Sequence, residues 1–298
     1  MNRLQRLGNG YGFIFPSLVF TLALGIYPIL WALRYMFYDY KGYGEMRYIG
    51  LGNFERLLRD DQFWSAVSNT FVYAGGKLLL TLPLALVLAV VLNRNLRGRH
   101  WFRAIYFMPT IISSAVMAIV FFIIFNSYNG ILNQLLMKYG FASQAVDWLG
   151  PDLAMLTVVL IAAWGAVGNY MLLFLAGLQS IPEDMYESAS LDGATAIQQF
   201  RYITVPMLGP VMQMIIMLAI ITALKGYESI MLMTEGGPIG KTNVMFLYVY
   251  KLLFPVSTGS VVEQQIGYGS AVGFASAMIV SVLTLIYFYV SRRMNKLY

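Results

Sequence analysis

The sequence predicts an all-α integral membrane protein of about six transmembrane helices, with a helix-turn-helix coupling elbow on the cytoplasmic side. Three observations carry this. Of 298 residues, 59% are hydrophobic and 11% charged, whereas a soluble domain needs about 25% charged residues to cover its surface. Six stretches stay apolar over the ~20 residues that cross a bilayer at 1.5 Å per residue. Basic residues concentrate in the short segments that alternate with them, as cytoplasmic loops require.

The spans run over about 12–37, 66–92, 104–125, 153–178, 207–233 and 268–290, within one transmembrane domain covering 1–298. Arg3 and Arg6 precede the first as in a signal peptide, but its apolar run is too long and no small-residue cleavage site follows, so it is expected as a retained helix. An even number of spans puts both termini on one side. With that side cytoplasmic, Arg3, Arg6, Arg94, Arg97, Arg99, Arg103, Arg201, Arg292, Arg293 and Lys296 lie inside. The longer outer loops hold Lys41, Arg47, Arg56, Arg59, Lys138, Lys241 and Lys251. The net charge of +6 thus points to anionic membrane lipid and not to nucleic acid. There is no cysteine and a single histidine, His100, which excludes disulfides, thiolate or histidine metal centres and a cysteine nucleophile. Pro16, Pro28, Pro83 and Pro109 fall within spans, where neighbouring helices can satisfy the freed backbone groups.

The most informative stretch is Gln179 to Pro206, QSIPEDMYESASLDGATAIQQFRYITVP. Ser180 and Glu183 have capping-box spacing with Pro182 in the first turn, predicting a helix from about Ile181 to Leu191. Gly193 is placed to end it in the left-handed region. Thr195 and Gln198 repeat the capping-box spacing and start a second helix. Acidic Glu183, Asp184, Glu187 and Asp192 on an inner loop suggest a protein partner, set against a plain solvated elbow.

This elbow resembles the EAA signature of permeases in binding-protein-dependent ABC importers: Glu187-Ser188-Ala189, then Gly193, then Ile203-Thr204-Val205-Pro206 at the family's spacings, with Ser188 and Val205 as small departures. Tyr48 to Trp64 (YIGLGNFERLLRDDQFW), Gly226 to Pro238 (GYESIMLMTEGGP) and Ile266 to Phe274 (IGYGSAVGF) are similar to segments of carbohydrate permeases of the maltose and glycerol-phosphate type. The resemblance implies that Glu187, Ser188, Ala189, Asp192 and Gly193 couple to an ATPase and are not catalytic. It implies as partners a second homologous permease subunit in a heterodimer, an ATPase dimer and an extracytoplasmic solute-binding protein. ATP and Mg then belong to the ATPase, and this chain binds no cofactor. Gly236 to Thr242 (GGPIGKT) ends like a phosphate-binding loop, but Glu235 stands where that pattern needs glycine.

For the solute pathway, Ala162, Gly165, Ala166 and Asn169 share one face of the fourth span, and Ala219, Thr222, Ala223 and Gly226 one face of the fifth. Such small-residue stripes mean either close helix packing or the wall of a shallow cavity. Trp164, Tyr170 and Tyr227 lie beside them and suit the C–H faces of pyranose rings. Lys77 falls in mid-span, where a charge is costly and marks a polar pathway. Lys225 and Glu228 have the spacing of a helical pair. The expected function is import of a sugar or oligosaccharide across the bacterial cytoplasmic membrane by ATP-driven alternating access. A non-sugar solute such as a polyol phosphate, or an ion-coupled secondary carrier, is the alternative. No paired acid and base points to an enzyme.

Overall fold

The computed structural model describes residues 14–254 and 263–294. Arg3, Arg6, Lys296 and the first two residues of the first expected span lie outside them. In chain order the elements are α1 (Ile14–Phe37), β1 (Tyr38–Asp39), β2 (Arg47–Tyr48), α2 (Gly52–Leu58), α3 (Asp61–Asn93), α4 (Arg99–Ile111) and α5 (Ser114–Ile124). There follow α6 (Ile131–Lys138), α7 (Ala154–Leu178), α8 (Glu183–Leu191), α9 (Ala196–Gln199), α10 (Gly209–Leu224), α11 (Glu228–Met233), α12 (Met245–Leu253) and α13 (Ile266–Met294). Among the described residues, five helical stretches are long and apolar enough to cross a membrane. There are six if the pair α4 and α5 counts as one span.

Two expected continuous helices are broken. The third span is two helices meeting at 94°. Ile112 and Ser113 are extended at the joint, and the Ser113 side chain caps α5 by accepting from the Val116 N–H. A serine at an N-cap outcompetes the continuing helix because its hydroxyl replaces a backbone acceptor. The fifth span stops at Leu224 and restarts at Glu228, across Lys225, Gly226 and Tyr227. That break removes the helical register in which Lys225 and Glu228 were expected to pair, and neither forms an ion pair among the described residues.

The chain divides into two compact units. One holds the described residues up to Phe63 together with Tyr248–Ala277. Its hub is Asp60, which starts α3 by accepting the N–H groups of Gln62 and Phe63 at 3.0 and 3.3 Å. Its other carboxylate oxygen accepts from the hydroxyls of Tyr248, at 2.6 Å, and Tyr268. Asn53 of α2, buried, donates to the carbonyls of Met36 and Tyr38. Phe54 meets Phe274 edge-on, and the Gly267 N–H bonds the Tyr40 carbonyl at 2.9 Å. A Cβ at Gly267 would fall on the Tyr38 carbonyl oxygen, so only glycine admits this approach. The segments Tyr48–Trp64 and Ile266–Phe274, noted separately in the sequence, therefore meet here.

The other unit holds Trp64–Leu247 and the described residues from Met278. One apolar core gathers Ala85, Ala89, Met171, Phe174, Leu208 and Ile215 from α3, α7, α10 and the residue before α10. A second gathers Tyr73, Met117, Val158, Ile230 and Leu247. Between α4 and α7 the backbones almost touch: a Cβ at Gly168 would fall on the Tyr106 carbonyl oxygen and lie 2.7 Å from the Phe107 Cα. Thr110 adds a hydrogen bond to the Gly165 carbonyl at 3.0 Å. Gly236–Thr242 is a self-contained turn in which the Thr242 hydroxyl donates to the Gly237 carbonyl, and Asn69 of α3 donates to the Gly240 carbonyl.

Burial disfavours the charge of Asp60, but the hydroxyls of Tyr248 and Tyr268 and the N–H groups of Phe63 and Gln62 outweigh it and hold the carboxyl below the usual range. A carboxyl depressed in this way stabilises the fold above its unfolded pKa of about 3.9. That contribution is lost as pH falls through the lower folded value. Asp60→Asn is expected to cost about 1–3 kcal/mol at neutral pH, because two buried tyrosine hydroxyls lose an ionised acceptor. Thermal unfolding in detergent should show the variant melting lower at pH 7 and losing less stability than the parent below about pH 4. Parallel curves for the two proteins would remove Asp60 from this role.

Candidate functional site

Both helix breaks open onto one cavity of about 450 Å³, within the size range of small-molecule sites. Ile112 and Ser114 border it from the joint between α4 and α5, and Lys225 to Ser229 from the joint between α10 and α11. Ala162, Gly165 and Ala166 form the α7 wall, and Tyr73 and Lys77 the α3 wall. Irregular backbone at membrane depth is tolerated only where it is buried in protein or lines a water-filled cavity. Two breaks facing the same space make it the polar interior of this unit.

Lys77 lies at the midpoint of α3. Its ammonium lies 5.9 Å from the centroid of the Tyr73 ring and, among the described residues, forms no ion pair and no hydrogen bond. A lysine at the centre of a membrane helix costs about 2.5–3.5 kcal/mol on insertion scales, so its presence at the cavity is not incidental to packing. Thr222 is exposed towards the cavity, and its hydroxyl is 2.8 Å from that of buried Tyr170. Tyr170 thereby orients Thr222 from behind the wall.

Of the pathway residues expected from sequence, Lys77, Gly165, Thr222 and Tyr227 line this cavity. Tyr170 supports it without lining it. Ala219 and Ala223 are fully packed, at 1% and 0% exposure, so the packing alternative holds for them. Asn169 is exposed but does not line the cavity. Trp164 points into a separate apolar groove with Leu84 and Ile105 and packs edge-on against Phe121. Sequence reading missed Tyr73, Thr110, Ser114 and Ser229. The signal that marks Ser114 is the Ser113-Ser114 pair after two isoleucines, a helix restart inside an apolar run.

The elbow is a helix-turn-helix. Gly193 has φ +78°, and the N–H groups of Gly193 and Ala194 bond the carbonyls of Ser190 and Ala189 at 3.1 and 2.9 Å, the full glycine-terminated helix end. The capping box of Thr195 and Gln198 is present. The expected one at Ser180 is not: Ser180 donates to the Gly177 carbonyl, and α8 starts after Pro182. The residue before a proline is held out of the helical region, so Ile181 cannot begin the helix. Gln199 donates to the Ser190 hydroxyl at 2.9 Å, and the Tyr186 and Thr204 hydroxyls are 2.9 Å apart. Glu187, Ser188, Asp192 and Gly193 are exposed and Ala189 half-buried. Leu191 and Ile197, on either side of the turn, are 90% and 79% exposed.

Two substitutions separate these parts. Gly168→Val forces α4 off α7 and is expected to lower stability by about 1–3 kcal/mol, as overpacking does. An unchanged melting temperature would show that the helices are not in backbone contact. Gly193→Val places a branched side chain in the left-handed region at a cost of about 1–2 kcal/mol. It should raise protease cleavage within 190–197 while leaving the helices inserted, and equal cleavage rates would contradict the turn.

Residues 81–296 match the model of the binding-protein-dependent transport system inner membrane component. The lactose transport system permease protein LacF of Rhizobium radiobacter is 31% identical over 95% of this chain and 94% of its own length. The arabinooligosaccharides transport system permease protein AraP of Bacillus subtilis is 32% identical over 93% of this chain and 86% of its own. Among solved structures, a chain of a bacterial alginate ABC transporter, in complex with its alginate pentasaccharide-bound periplasmic protein, superposes with a TM-score of 0.85. It is 26% identical and covers 98% of this chain and 97% of that one. With an ABC permease fold and a match over most of its length, this chain belongs to the family of binding-protein-dependent transport system inner membrane components.

Proposed function

We propose that this chain is the permease subunit of an ABC importer that carries a sugar or oligosaccharide into the cell by alternating access. The observation that carries the proposal is the cavity formed where two broken membrane helices face Lys77, Thr222 and Tyr227. The half-buried Tyr227 borders the cavity with an aromatic ring of the kind that suits a pyranose face, and the hydroxyl of Thr222 both donates and accepts. The names of LacF and AraP, and the alginate pentasaccharide of the structural relative, support a saccharide as solute.

In this reading a solute-binding protein delivers the solute from outside, and a second, homologous permease subunit completes a heterodimer. Both termini are cytoplasmic. The elbow docks on an ATPase dimer that binds ATP and Mg. The apolar pair Leu191 and Ile197 enters the partner, while Glu187 and Asp192 set its orientation, with Ser188, Ala189 and Gly193 shaping the contact. Closure of the ATPase then reaches the helices through Tyr186–Thr204 and Ser190–Gln199, whose bonds make α8 and α9 one body.

The test is uptake by the assembled importer in liposomes. Leu191→Asp with Ile197→Asp is expected to abolish uptake and ATPase stimulation without reducing the amount of inserted chain, since charges replace a desolvated apolar contact. Tyr227→Ala should raise the solute concentration for half-maximal uptake about tenfold, with ATPase assembly intact. Normal uptake in the first variant would reject the docking face. An unchanged half-maximal concentration in the second would leave the cavity outside the pathway.

A further inference from the structure

The cavity carries an unbalanced charge pattern. Lys77 lines it from α3 and Lys225 from the joint after α10, Glu228 is the one carboxylate in its lining, and no ion pair among the described residues joins any of the three. Arg103, the basic residue nearest along α4, is turned away and donates to the Leu92 carbonyl. The cavity wall therefore holds two lysines against one carboxylate.

The hydrogen-bond chemistry points the same way. A neutral sugar presents hydroxyls that both donate and accept, and amide or hydroxyl side chains serve these without the cost of an intramembrane charge. Lysine only donates. Two donor-only cations are matched by a group that only accepts, and a carboxylate is such a group. From these observations we propose that the transported solute is an acidic saccharide, with a uronate carboxylate held between Lys77 and Lys225. Glu228 then meets the hydroxyls of the same or the next sugar unit. This deepens the saccharide reading above and rests on it.

The complete importer in nanodiscs, without binding protein, is titrated with trigalacturonate, galactotriose and glycerol 3-phosphate at low and high salt. Trigalacturonate should bind at least about tenfold more tightly than galactotriose, an advantage that shrinks with salt, as screened charge contacts do. Lys77→Met should lose that advantage, its affinity for trigalacturonate falling to that for galactotriose, while Lys77→Arg keeps it. If Lys77→Met fails to assemble, Lys225→Met carries the same comparison. Equal affinity for the two trisaccharides overturns the proposal and leaves the saccharide reading standing. So does acidic-sugar affinity that survives the loss of either lysine, as it would if both pair with a partner subunit. Lysine-dependent binding of glycerol 3-phosphate alone rejects the saccharide in favour of a phosphate. Binding of none of the three overturns both readings.

Discussion

Every peptide N–H and C=O inside a bilayer must find its partner within the protein, because lipid supplies none. The larger unit of this chain follows from that requirement. Its helices α3 and α7 run for 33 and 25 residues without interruption. Both interruptions elsewhere border a single cavity, so the peptide groups that helix ends leave unpaired are confined to its rim. There, turn bonds from Lys225 to the Ile221 carbonyl and from Gly226 to the Ala223 carbonyl take up part of the demand. The Ser113 hydroxyl caps the other joint. Polar side chains also enter the membrane at this place. Those that do, Lys77 above all, gather where irregular backbone already keeps the space polar.

The smaller unit obeys the same rule at a helix end. Asp60 meets the first N–H groups of α3 with one oxygen and two tyrosine hydroxyls with the other. The Tyr248 phenol is pushed up by burial and by this carboxylate, and stays a donor. One side chain thereby joins three helices that are far apart in sequence. Tyr48–Trp64 and Ile266–Phe274 converge on that junction: Asn53, Phe54, Asp60, Gly267, Tyr268 and Phe274 all direct their polar or apolar groups to it.

Much of the architecture is legible in the sequence, because span length and apolarity are averages over about 20 residues. The span expected at 153–178 is α7, Ala154–Leu178, almost to the residue. Averages erase single-residue events, however. The break at Ile112 and Ser113 lies in a run whose mean hydropathy stays high, and only the capping serine marks it. Periodicity likewise shows that Ala219 and Thr222 lie near one another on a helix, but not that one packs and the other faces the cavity. Gly193 and Thr195 were readable because their chemistry is local: a left-handed turn and a cap need no distant partner. Ser180 had the right spacing and still failed, since the proline two residues on dictates where that helix can begin.

The 94° joint has one more consequence. On one side of it, α4 is bolted to α7 by the backbone contact at Gly168 and the bond from Thr110. On the other side, α5 packs with α11, which itself follows the second interruption. Both joints therefore lead from helices packed on α7 into the pair α5 and α11. That pair is not free of α7, however, because Met117 and Ile230 share a core with Tyr73 and Val158. A change in the cavity's shape at these joints is thus tied to the packing of that shared core.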